Sequence, residues 1–506
     1  MITPGASSIK GTGGMAGLPP LVVVKELEDG PPPPDLTLAL VALSLLAQLG
    51  AAFCQRRTAL RAWRMAVGQA LTLGSRTISR IIASLRRDQR DWSADYRLFS
   101  RSPWQTRRLF VPVLREALSA ALPPHVAPDA PIWIAGDHTH LRKTGRHIAG
   151  VHTIRDPMSP PWHVNLISGL RFFHLAVVVA PWRQAGQEGG DVPARAIPVR
   201  FEPSPTVKKP GKKATPEQIA SYKKALKARV GTVQARKELE QLREDADAAG
   251  GQGRTIIAAL DGAFCCKVFF KVPMRGIEVM ARCRKDAVLC TKAGPGEGRR
   301  FFSKKKFTPD DLREDESQPW KTAVVRTGGR EHSLRYKELS HVYWQGGAGR
   351  REVRVIVIAP TGYRLHQKGP LLYRQPAYLL VTDLERGAQE LIQGYVDRWQ
   401  IEVAHRELKD GFGIQDSQVR HEKSVPRHPG FEVAVYAMLH LAALKAYGPR
   451  RTADYLPPPK WYAGAARPTL LDIVQLLRQQ IPQCPDAVLP PDAAYVSAAL
   501  TEKAAA

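Results

Sequence analysis

Two short apolar runs constrain this chain more than any other feature, because each ends on an aspartate. Residues 132–137 close on Asp137 and residues 255–261 close on Asp261. Runs of this length, rich in isoleucine and bounded by polar residues, read as buried strands. A carboxylate just past a buried strand stands at the rim of a sheet, where open α/β folds bind their ligands. Taken singly, either aspartate reads equally well as a turn residue or a helix cap. Further strand-like runs at 164–168, 174–179, 353–358 and 378–383 fit the same sheet-building chain.

A third element adds specificity. The pattern over 387–410 predicts one strong helix, with Gly411 and Gly413 suited to its C-terminal cap. Spacings of 3, 4, 3 and 4 set Tyr395, Arg398, Glu402, His405 and Lys409 on one face. One carboxylate among Arg, Lys and Tyr suits a substrate that carries phosphates and a bound cation. A solvated face laced with ion pairs has the same spacing.

Charge narrows the partner. The 506 residues hold 74 Lys+Arg against 47 Asp+Glu, a formal net charge of +27. The cations are spread along the chain, so the expected partner is a nucleic acid, bound in a salt-dependent way. Cys54, Cys265, Cys266, Cys283, Cys290 and Cys484 include no Cys-x-x-Cys pair. They fit reduced thiols of a cytosolic protein, not a zinc ribbon or a disulfide scaffold. No signal peptide precedes the chain body. The apolar stretch 36–53 approaches the length of a membrane span, but Thr37, Ser44 and Gln48 interrupt it and a basic DNA-seeking body follows. It is read as a buried helix, and no membrane association is expected.

Length suggests about three domains. Residues 1–35, rich in Gly and Pro, read as a disordered tail, and 36–125 as a helical DNA-binding domain. Within the latter, Gly74 and the helix bearing Arg76 and Arg80 fit a helix-turn-helix as well as two plainly packed helices. Residues 126–264 form the first part of a catalytic core, with a basic helical insertion at about 200–250 that includes the Lys- and Pro-rich stretch 208–213 and a long helix from about 216 to 248. Residues 265–385 read as a β-rich insertion domain, 386–450 as the second part of the core, and 451–506 as a helical C-terminal segment.

Here the chain resembles a known group. Tyr395, Arg398, Glu402 and Lys409 match, without a gap, the Tyr-Arg-Glu-Lys signature of bacterial insertion-sequence DDE transposases. Asp137 and Thr139, followed by Lys143 and Gly145, look like that group's first-aspartate motif. Asp261-Gly262 with Phe264 looks like its second. The resemblance covers roughly 130–450. It implies an α/β fold: an RNase H-like mixed five-stranded sheet flanked by helices, interrupted by the β-rich insertion and preceded by the helical domain. Asp137 would sit on the first strand, Asp261 beyond the fourth, and Glu402 on a following helix.

The resemblance also implies a chemistry. Asp137, Asp261 and Glu402 would be catalytic and hold two Mg²⁺ ions, with Mn²⁺ as a substitute, roughly 4 Å apart. Tyr395, Arg398, Lys409 and Lys143 would contact DNA near the cut. Apart from the resemblance, Arg76 and Arg80 of the helix-turn-helix candidate would contact DNA, and Trp344 could stack on an unpaired base, although a plain core tryptophan fits its sequence better. The partners would be double-stranded DNA, as terminal inverted repeats and as target, and a second copy of the chain in a homodimeric synaptic complex. No small-molecule cofactor is expected. A non-transposing RNase H-like nuclease and a non-catalytic DNA-binding protein remain open alternatives.

Overall fold

A computed structural model describes residues 36–490, apart from 146, 157–158, 161, 181–191, 206, 208, 212–213, 229–230, 299–300, 365, 367–368 and 462–463. The tail at 1–35, the end of the C-terminal segment and Lys208, Lys212 and Lys213 of the basic stretch lie outside the described residues.

Among the described residues five α-helices come first: α1 (Thr37–Gln48), α2 (Arg56–Leu71), α3 (Ile78–Ser84), α4 (Ser93–Ser100) and α5 (Thr106–Ala121). The apolar α1 is buried in this bundle, where the Trp63 indole donates to Leu43 O at 3.1 Å. No helix among the described residues is long and apolar enough to cross a membrane. Buried Asp95 gathers Arg61, Arg64 and Arg87 at 3.6, 2.8 and 3.8 Å and ties α2 to α4.

The sheet follows. Strands β1 (Ile132–Arg142), β2 (His152–Arg155), β3 (Leu166–Val179) and β4 (Arg195–Pro203) precede helices α6 (Pro216–Ala228) and α7 (Gly231–Ala246). Then come β5 (Ile256–Leu260), the short α8 (Lys267–Phe270) and β6 (Ile277–Arg282). β1 pairs antiparallel with β3 and β3 with β4, whereas β1–β5 and β5–β6 are parallel. The core order β4-β3-β1-β5-β6 is that of an RNase H-like mixed five-stranded sheet. The runs at 164–168 and 174–179 prove to be one strand, β3. Strand β4 carries Pro198, which sits where the β3–β4 register shifts and so escapes a sequence reading that treats proline as a strand breaker.

Alternation explains why these strands look apolar throughout. Ile132 and Ile134 face a layer formed with the N-terminal helices, α7 and the long α12 (Ser424–Tyr447). Trp133 and Ala135 face the opposite layer, formed with α10 (Ala388–Asp397) and α11 (Gln400–Arg406). A strand buried on both faces loses the polar half of its pattern. Parity then puts Asp137 on the side of α10 and α11.

Beyond β6 the same sheet continues as β14 (Ala377–Val381), β11 (Glu352–Ile358), β10 (Arg330–Tyr343), β7 (Leu289–Lys292) and β8 (Phe302–Phe307). β9 (Lys321–Thr327) pairs with β10, and helix α9 (Pro309–Glu314) lies between β8 and β9. The β-rich stretch is thus hydrogen-bonded to the core through β14–β6, and β6 itself, within 265–385, is the fifth core strand. β12 (Gly362–Tyr363) and β13 (Leu372–Tyr373) form a separate hairpin. Two glutamines of α10 cover the open edge of β9: Val324 N donates to Gln389 at 3.3 Å, and Gln393 exchanges bonds with Arg326 at 2.6 and 2.9 Å. Helix α13 (Leu470–Gln480) closes against the N-terminal bundle, where Gln480 accepts from Ala39 N at 2.9 Å.

Candidate active site

The register sets the two aspartates side by side. Pairing of β1 with β5 ends at Gly136 opposite Leu260, so Asp137 and Asp261 are the next residues on adjacent parallel strands. Gly136 leaves room there for Leu260, whose Cδ2 would lie 2.6 Å from an added Cβ. The aromatic of the second motif has a structural purpose. Phe264 is fully buried and stacks on His138, ring centroids 5.1 Å apart and 17° from parallel, joining the two aspartate motifs.

The third motif arrives on α11. The segment expected to be one helix is divided into α10, α11 and a π-helical turn at Glu407–Gly411. Tight i→i+3 bonds from Ile401 N to Arg398 O and Glu402 N to Trp399 O mark the junction, both at 3.0 Å. Against β1, α10 packs its Gly394 directly onto the Trp133 ring, which a Cβ would meet at 1.9 Å. This close approach brings Arg398 to the sheet rim. Its guanidinium donates to Glu402 at 3.1 Å, lies 3.9 Å from Asp137 and covers the Tyr395 ring at 5.5 Å.

Electrostatics report the crowding. Burial raises the Asp137 carboxyl to about 6; Arg398 opposes that, while Asp261 and Glu402 add to it. Glu402 is likewise raised, by burial and the charge of Asp261 against the opposing Arg398. Burial lowers Lys409, which also feels Asp137, Asp156 and Arg142. Three mutually repelling carboxylates with oxygen donors only are a set for a hard divalent cation. Among the described residues no three acidic, His or Cys side chains already form a ligand cage, and Glu402 is engaged by Arg398.

Beneath the rim, His405 Nε2 meets His174 Nδ1 at 2.9 Å, both rings buried and held neutral by burial. His174 is the register partner of Asp137. The sequence reading passed over it; its one signal is a polar residue opening an apolar run. His138 and His140 are lowered to about 4, chiefly by burial and then by Arg171.

Two residues expected to contact DNA are buried. Lys143 is buried, and its ammonium donates to Gln415 O and Ser417 O at 2.8 and 2.6 Å. Arg76 is also buried; it donates to Gln69 O at 3.0 Å and Gly411 O at 2.6 Å and covers the Phe412 ring. Both cations fasten the segment after α11 to its surroundings and turn away from solvent. Arg80, on α3, is exposed. Trp344 is not gathered with the carboxylates. It lines a cleft of about 640 Å³ that begins at Gly262 and includes Arg284 and Lys306. One face of its ring is covered by Gly347, and Phe270 meets it edge-on at 5.8 Å. All six cysteines are free.

No curated protein matches the chain. A family model described as DDE superfamily endonuclease matches residues 45–350, a span that holds Asp137 and Asp261 and ends before Glu402. With more than half its length matched and an RNase H-like sheet beneath the two aspartates, the chain belongs to the DDE superfamily endonuclease family.

Proposed function

We propose that this protein is a DNA transposase of the Tyr-Arg-Glu-Lys subgroup, in which Asp137, Asp261 and Glu402 are the catalytic carboxylates. Family membership already brings endonuclease chemistry on DNA, generally with divalent metal ions. The observation that carries the finer reading is Arg398, which reaches both Glu402 and Asp137 and so binds the third motif to the first. A face with Arg398 buried and Tyr395, Glu402 and Lys409 half-buried at a sheet rim differs from a solvated stripe of ion pairs.

Asp137, Asp261 and Glu402 would hold two Mg²⁺ ions, or Mn²⁺ in their place. When bound, these would activate the attacking oxygen and stabilise the leaving one in an in-line displacement. The chain's own contribution is placement. Arg398 forks toward phosphate oxygens, Lys409 adds a point charge, and the Tyr395 phenol borders the reacting phosphate. Exposed Arg80 is suited to the DNA backbone, and Trp344 in the cleft lined by Arg284, Asp286 and Lys306 is suited to an unpaired base. The substrates would be the inverted repeats at the element's ends and a target duplex, brought together by a homodimer. Residues 36–125 would serve DNA binding, 126–264 and 386–450 catalysis, 265–385 insertion-domain contacts, and 451–490 packing of the helical end.

The test is strand cleavage of labelled duplexes cut from the DNA flanking the gene, with Mg²⁺ or Mn²⁺, by wild type and Glu402→Ala. Metal-dependent nicking lost in the variant while binding persists, followed by joining to a second duplex, supports a transposase. Nicking without joining points to an endonuclease that no longer transposes. Binding without nicking in both proteins points to a non-catalytic DNA-binding protein.

A further inference from the structure

Beyond the rim that carries Asp137 the sheet does not stop. β1 loses β5 at Gly136 but stays paired with β3 through Arg142 opposite Gly169. β3 then continues with β2 alone, to Arg155 opposite Leu166. A narrow β-arm therefore stands out from the catalytic mouth. Eight residues of strand separate Asp137 from its end, roughly 25 Å at the usual rise. Its base is held to the segment after α11 by Lys143 and by Ala149 N donating to Arg420 O at 3.3 Å.

Hydrogen bonds join Asp156, Ser159 and Asn165 at the tip. Asp156 N donates to Asn165 O at 2.9 Å, Ser159 N to Asp156 O at 3.0 Å, and Asn165 N to Ser159 Oγ at 2.9 Å. Yet it presents large apolar side chains to water: Trp162 is 85% exposed, Leu166 65% and Val164 52%. Cations connect this tip to the mouth. Arg398 stands at the rim, Lys409 lies within the field of both Asp137 and Arg142, and Arg142 reaches Asp156 at the foot of the tip, 3.3 Å away. Exposed Arg155 follows at the end of β2. A polyanion laid along Arg398, Lys409, Arg142 and Arg155 arrives at an aromatic and aliphatic edge. That pairing of a cationic track with an apolar tip suits duplex DNA whose base step is opened by an inserted side chain.

We propose that exposed Trp162, Val164 and Leu166 form a DNA wedge, with Trp162 entering or capping a base step about seven base pairs from the cut, at 3.4 Å per step. This rests on the DNA-cleaving reading of the site above and adds where the flanking duplex runs. An exposed wedge has no folded partner to lose, so its removal leaves the fold intact.

The experiment scans 2-aminopurine through short duplexes cut from either flank of the gene, without metal, and compares wild type with Trp162→Ala and Arg155→Ala. Wild type is expected to brighten one position six to nine base pairs from the nick mapped with metal, the span that roughly 25 Å of strand covers at about 3.4 Å per base pair. Trp162→Ala loses that signal and binds roughly 10-fold more weakly with an unchanged salt slope. Arg155→Ala keeps the signal and lowers the slope by about one. Binding and nicking by wild type with no position brightened overturns the wedge, as does a Trp162→Ala protein that keeps the signal. A Trp162→Ala protein that sediments as a smaller species while binding DNA normally overturns it in favour of a contact between copies. Brightening with no metal-dependent nicking leaves the wedge standing and removes the catalytic reading instead.

Discussion

His405 and His174 share a hydrogen bond of 2.9 Å across the buried seam between α11 and β3. One ring must donate and the other accept, because burial keeps both neutral. The bond spans the two elements that carry Glu402 and the register partner of Asp137. Replacing His405 with Ala strands the His174 nitrogen in an apolar seam and opens a cavity. The expected loss is about 2–4 kcal/mol in urea unfolding, with a midpoint shift at constant m-value. His405→Gln, which can reach His174 with an amide N–H, should recover part of it. Equal stability of His405→Ala and wild type would show that the bond contributes nothing.

Gly394 is expected to tolerate no side chain. Its Cβ would lie 1.9 Å from the Trp133 ring, so Gly394→Ala must push α10 off β1 or displace the indole. Overpacking of this kind costs about 1–3 kcal/mol, and displacement of α10 carries Arg398 and Glu402 with it. Thermal unfolding should show the loss, and the double variant Gly394→Ala/Trp133→Leu should regain stability. A Gly394→Ala protein with an unchanged midpoint and unchanged cleavage would contradict this packing.

The raised carboxyl of Asp137 fixes a pH dependence in the metal-free protein. Its folded value of about 6 lies above the ordinary 3.8, so between these the folded state holds the extra proton. Stability therefore falls as pH rises from about 4 through 6, and above 6 the ionised group is a net burden of roughly 1–3 kcal/mol. Asp137→Asn should be the more stable protein at pH 8, with the gap closing as pH falls toward 4, while cleavage is abolished throughout. Calorimetry of both proteins from pH 4 to 8 checks the sign. A wild type that is more stable than Asp137→Asn at pH 8 would reverse it.

Lys143→Met separates a structural lysine from a DNA-binding one. Its ammonium is sealed against two backbone carbonyls, so the variant should lose about 2–4 kcal/mol of stability. Its DNA affinity at low temperature should keep the wild-type salt dependence. A slope reduced by about one, with unchanged stability, would return Lys143 to the DNA surface.

What the sequence determined by itself is local. A strand of β-branched residues ending on aspartate, and a helix face built from residues three and four apart, are properties of neighbours in the chain. Asp137, Asp261 and the Tyr395–Lys409 face were therefore candidates before any fold was known. So was the mixed sheet, because three motifs in a fixed order carry a resemblance that no one motif carries. The burial of Lys143 and Arg76 was hidden for the converse reason. A cation reads as surface until the carbonyls that close over it are known, and Gln415, Ser417 and Gly411 lie more than 250 positions away.

Tertiary structure decided the rest. β4 was hidden by Pro198, which a register shift at a sheet edge accommodates. The helix at 387–410 was expected to be continuous, since propensity cannot see a junction created where α10 sinks onto Trp133 and α11 turns to meet His174. Only packing brought Arg398 to both Asp137 and Glu402, because their separation is set by a sheet register and a helix–sheet contact, neither of which is written in the spacing of residues along one segment.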